Sequence, residues 1–143
     1  YWLAGAEIVA ESDLSELLAT LTVKAHDGVW RFETIDQDAA SWAELVNLRT
    51  VREIAMLFRE DEGLTVITSA EESTPTENRW VWLELSVFSD LNAVGLLAKV
   101  AAALTEAGIP CNAVAAYHHD HIFVPEAKAD AAITAIEALR GLA

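Results

Sequence analysis

Apolar and polar residues alternate without a break over 80–88, with Val81, Leu83, Leu85 and Val87 on one side and Trp80, Trp82, Glu84 and Ser86 on the other. A period of two predicts a half-buried strand. The period then changes. Ser89-Asp90-Leu91-Asn92-Ala93-Val94-Gly95 is a short turn closed by a glycine, and Val94, Leu97, Ala98, Ala101 and Leu104 follow at helical spacing, which predicts a helix over 92–107. Gly108 and Ile109-Pro110 supply its stop. Strands are expected at 109–117 and 121–124, then a last helix over 126–140 with Ala129, Ala132, Ile133, Ile136 and Leu139 or Arg140 inward.

The first half is not a visible repeat of the second. A strand is expected at 2–9. Asp13 and Glu16 form a capping-box variant for a helix with Leu14, Leu17, Leu18 and Leu21 on one face. Residues 29–35 read as a strand after the Asp27-Gly28 turn, and 41–48 as a segment whose type is open. Segments 53–59 and 64–68 read as a hairpin whose Glu60-Asp61-Glu62-Gly63 turn uses its glycine for a positive φ. Polar and turn-forming residues at 71–78 divide the chain into expected units at 1–70 and 79–143.

Of the 143 residues, 53% are hydrophobic, enough for a sizeable core. A net charge of −14 opposes binding to nucleic acid, whose phosphates need clustered Lys and Arg. No apolar run reaches the roughly 18–20 residues needed to cross a bilayer, and no basic stretch leads into an apolar one at the start, so a cytoplasmic protein is expected. A lone cysteine, Cys111, excludes an internal disulfide framework.

The turn at 89–95 carries the first candidate chemistry. N–H groups at a helix start attract a carboxylate, and Asp90, Asn92 or Asn112 can face an ammonium. Simple capping by Asp90 or Asn92 explains the same residues. His118-His119-Asp120-His121 offers metal-ligating types, but an extended strand splits them, His119 and His121 to one side and His118 and Asp120 to the other. His26 is remote in sequence, so no metal and no cofactor are expected. No nucleophile elbow, P-loop or His-Glu-x-x-His motif is present, Cys111 reads as a small core residue, and the chain is expected not to be an enzyme. The acids at 60–62 read as a solvated turn. Trp80 and Trp82, on the side of their strand away from the aliphatic row, call for cover from the other half or from a second subunit.

Gly95-Leu96-Leu97-Ala98 and Ala107-Gly108-Ile109, after the strand and turn, resemble the signature of the ACT domain, a small ligand-binding regulatory module. Tyr117-His118-His119-Asp120-His121-Ile122-Phe123-Val124-Pro125 and Phe58-Arg59-Glu60-Asp61-Glu62-Gly63-Leu64-Thr65 are similar to tandem ACT proteins, among them bacterial proteins thought to bind amino acids and the eukaryotic cytosolic arginine sensors. The resemblance implies an α+β fold of two ferredoxin-like βαββαβ units, with antiparallel sheets and helices on one face. The second unit is one strand short, and the first half can supply it. The resemblance also implies a non-catalytic sensor that holds a free amino acid between units. Ser89, Asp90, Leu91, Asn92, Ala93, Val94, Gly95 and Leu96 would form one wall of that site, and Asn112, Val114, Tyr117 and Asp120 the other. Asp120 matches the aspartate that faces the ligand side chain in the arginine sensors, which carry an acidic residue where this chain has Ala93. A homodimer or a regulated enzyme is the expected partner. The alternative is a ligand-free interaction module, and a third reading is a small metal-binding protein built on the histidines.

Overall fold

The computed structural model describes residues 13–48, 53–87 and 92–142. The strand expected at 2–9 and the turn residues Ser89, Asp90 and Leu91 lie outside them. Helix α1 (Leu14–Ala19) opens where the Asp13 carboxylate accepts the Glu16 N–H at 3.1 Å, satisfying one of the donors that a helix start leaves over. Strands β1 (Val23–Ala25) and β2 (Trp30–Ile35) follow. The open segment is helix α2 (Ala39–Leu48), capped by Asp38, whose carboxylate accepts the N–H groups of Ala40 and Ser41 at 3.0 and 2.9 Å. The hairpin is β3 (Ile54–Arg59) and β4 (Leu64–Ser69). A 3-10 turn (Thr76–Asn78) leads to β5 (Trp80–Leu85), α3 (Leu96–Glu106), β6 (Asn112–Ala115), β7 (Asp120–Pro125) and α4 (Ala129–Glu137).

The strands form one antiparallel sheet in the order β3-β4-β2-β5-β7-β6, with β1 also on β5. β1 is too short to show a period. It pairs Val23 with Leu85 and Ala25 with Leu83, and β2 continues along the same edge of β5 with Trp30 opposite Trp80. The Asp27-Gly28 turn, with Gly28 at φ 84°, takes up the extra residues between the two pairings. The edge strand that the second block lacks therefore comes from the first half, and this shared edge ties the halves together.

Both faces of the sheet are filled. On one, Val81, Leu83, Leu85, Ile122 and Val124 pack with Leu17, Leu96, Val100, Leu104 and Ile136 from the helices and with Leu21 just past α1. On the other, Trp30, Ile67 and Phe123 gather Phe32, Met56, Trp80 and Trp82. Phe32 meets Phe123 at 5.7 Å across the intervening β5 because the sheet curls toward this side. The cover expected for Trp80 and Trp82 is thus the first half of the chain. Asn78 seals the junction: its amide accepts the Phe32 N–H at 3.0 Å, donates to the Phe32 carbonyl at 2.9 Å, and accepts the Trp80 indole N–H at 3.1 Å.

Three sequence expectations need correction. α3 starts at Leu96 rather than 92, because Gly95 holds φ 100° and a left-handed residue ends the helix there. Its buried face is accordingly Leu96, Val100 and Leu104, and Val94 is 82% exposed. The strand expected over 109–117 is confined to Asn112–Ala115. Gly63 is not among the positive-φ glycines Gly28, Gly95 and Gly108; a Cβ there would lie 2.8 Å from the Ile35 carbonyl oxygen, so it is close approach that requires glycine. The expected stop of α3 is present, with Gly108 at φ 71° and the Ile109 N–H donating to the Leu104 carbonyl at 2.9 Å.

Candidate functional site

α3 begins with a glycine, so no side chain at its cap can reach the first helical N–H groups. Those donors have no intrahelical partner by geometry, and the helix dipole adds partial positive charge there. A Cβ on Gly95 would stand 3.1 Å from Leu14, so the residue also lets α1 approach. Of the described turn residues, Asn92 and Val94 are exposed, Ala93 is half-buried and Leu96 is core.

The pairing of Glu84 with His121 sets Asp120 level with the end of β5, from which the chain leads to α3. β6 runs parallel to β5, so the hairpin carrying Tyr117, itself 72% exposed, turns at this same end of the sheet. Asn112 and Val114 are placed differently. They pair with Phe123 and His121, and so share the aromatic face rather than the face carrying α3. Cys111 is half-buried against the helical core, and burial pushes its thiol above the usual range, as suits a packing residue. A cavity of about 360 Å³ lies elsewhere, between β2 and α2, lined by Glu33, Asp36, Ser41, Glu44 and Leu45 among others.

The aromatic face holds a polar cluster that sequence spacing did not reveal. His26, just past β1, donates from Nε2 to the Glu84 carboxylate at 2.9 Å, and its ring lies flat on Trp82, 3.8 Å away at 5°. The Trp82 indole N–H donates to His121 Nδ1 at 2.8 Å, and His119 Nδ1 stands 4.0 Å from the second Glu84 oxygen. Burial raises the Glu84 carboxyl, but the His26 hydrogen bond and the His119, His26 and His121 charges outweigh it and hold the group below its ordinary value. Burial lowers His121, against the pull of Glu84, and so favours the neutral ring. The fold thereby brings His26, remote in sequence, beside Glu84 and His121. The one available signal was Glu84, a carboxylate in register with two tryptophans on an otherwise aromatic face.

Residues 77–138 match the profile of an ACT domain, and residues 9–77 match a second ACT-domain profile. No curated protein matches by sequence. Among solved structures, a Vibrio cholerae protein of unknown function, described as a possible transport protein, is 34% identical with a TM-score of 0.71, over 89% of this chain and 95% of that one. An Agrobacterium tumefaciens protein shares the fold at 14% identity and TM-score 0.63, over 84% and 89% of the two chains. The ligand-free regulatory subunit of Thermus thermophilus aspartate kinase shares it at 11% identity and TM-score 0.60, over 82% and 95%. No helix among the described residues is long and apolar enough to cross a membrane.

Proposed function

This chain belongs to the ACT-domain family as a tandem of two units, and on that footing we propose that it is a non-catalytic sensor of a free amino acid, working in the cytoplasm. ACT domains are regulatory modules for small ligands, and the Thermus thermophilus aspartate kinase neighbour is a regulatory subunit by name. The boundary between the units falls at residues 71–78, which are exposed except for the buried Thr74 and the half-buried Asn78.

The observation that carries this reading is the glycine-capped start of α3 at the sheet end that also carries Asp120. The ligand's carboxylate would sit on the N–H groups there, next to residues 89–96. Asp120 and Tyr117 would border its side chain, while Asn112 and Val114, on the aromatic face, lie on the other side of the sheet. Occupancy would shift the balance between arrangements of the units or of a regulated enzyme, by as much as the ligand's affinity differs between them.

A thermal-shift screen against the proteinogenic amino acids tests this. A ligand at about 100 times its Kd adds about 2.7 kcal/mol, or several degrees for a chain of this size. A flat response across the panel sinks the reading. It would leave assembly, which a separate observation favours: Leu57 and Phe58 on the edge strand β3 are 41% and 62% exposed. Concentration-dependent mass is the readout for that alternative.

A further inference from the structure

We propose that His26, Glu84 and His121 form a site for one borderline first-row divalent cation, with Zn²⁺ as the best match. The donors come from three adjacent backbone segments of one sheet: the residue just past β1, the last residues of β5 and the start of β7. Their ligand atoms all lie within 4.8 Å of one another. A tetrahedral zinc with bonds of about 2.0–2.2 Å separates its ligand atoms by about 3.3–3.5 Å, so small side-chain rotations bring these three into place. His119, beside the second Glu84 oxygen at 4.0 Å, brings a further imidazole to the same carboxylate.

Trp82 lies flat under the His26 ring and so fixes that imidazole on a rigid strand, while its indole N–H reaches His121 Nδ1. The side chains are 23% exposed at His26 and 16% at Glu84, so an ion can enter a site that is still largely shielded from water. Two nitrogens and one oxygen suit Zn²⁺, Ni²⁺ or Cu²⁺ and disfavour Mg²⁺ and Ca²⁺, which take oxygen ligands. A net charge of −14 raises the local concentration of cations.

Binding has a visible cost. Any proton on the His26 Nε2 that faces Glu84 must move to Nδ1 or to solvent. The Trp82–His121 hydrogen bond must also loosen, since the indole N–H occupies Nδ1 and leaves the proton of the neutral ring on Nε2. Trp82 emission is therefore a built-in reporter.

The test is Zn²⁺ titrated into chelator-treated, untagged chain, followed by calorimetry and tryptophan emission, with Mg²⁺ as control. One ion per chain with Kd below about 10 µM is expected, with a matching change in emission and no response to Mg²⁺. His26→Asn and His121→Asn should each weaken binding at least about tenfold, and His118→Asn should not. Absence of saturable Zn²⁺ binding to the wild type overturns the proposal, whatever the variants do. So does undiminished binding in both His26→Asn and His121→Asn, once circular dichroism shows that they fold.

Discussion

On β5, Val81, Leu83 and Leu85 pack among aliphatic side chains from the helices, while Trp80, Trp82 and Glu84, one residue away on the same strand, each hold a specific polar partner. The aliphatic face needs volume and exclusion of water, which are non-directional. The aromatic face needs alignment. Trp80 uses Asn78, two residues before it, but Trp82 requires His121 and Glu84 requires His26, so two distant segments must arrive in register. A hydrophobic face can therefore be recognised from its own strand alone, whereas a polar-aromatic face is defined by its neighbours.

Truncation at the centre of either face should give the largest effects. Phe123, 2% exposed among the aromatic rings, should lose about 3–5 kcal/mol on change to Ala, and Leu83, fully buried on the opposite side, about 2–5 kcal/mol. Urea denaturation of both variants measures this. A loss under about 1 kcal/mol for Phe123→Ala would show that the curled side is not a core.

A ligand measurement separates the two faces by function. Asp120 and His121 are neighbours on β7 and so point to opposite faces. Asp120→Ala should weaken the preferred amino acid by about 1.5–3 kcal/mol, the range for a hydrogen bond to a charged group, while leaving the Zn²⁺ isotherm unchanged. Calorimetry with each ligand decides. Unchanged amino-acid affinity removes Asp120 from the site, and loss of both affinities would mean that the two faces are coupled.

The smallest effect tests directionality itself. Trp82→Phe keeps an aromatic ring but gives up the indole N–H to His121, and should cost about 0.5–1.5 kcal/mol together with a changed His121 titration by NMR. Leu83→Met, which roughly conserves volume, should cost under about 1.5 kcal/mol and leave that titration alone. Identical His121 titrations in the two variants would break the distinction.

The candidate site was partly legible in the same way. Asp13 as a cap, Gly108 as a stop and the Leu14–Leu21 face were readable because each depends on residues within a few positions of it. The start of α3 was misplaced because Val94 fits a helical period, and nothing local reveals that Gly95 adopts φ 100° under Leu14. The place of His26 beside Glu84 was not legible because β1 has three residues and no period of its own.

What the sequence determined by itself is the alternation of β5, the amphipathic helices and the glycine and aspartate signals at their ends, all set by local sterics and by burial of a periodic face. What the tertiary structure decided is which edge of β5 receives β1 and β2, and hence that His26 reaches Glu84 and that Phe32 reaches Phe123. Strand pairing uses backbone groups that every residue carries, so partner and register are fixed only when the side chains of both faces are satisfied together.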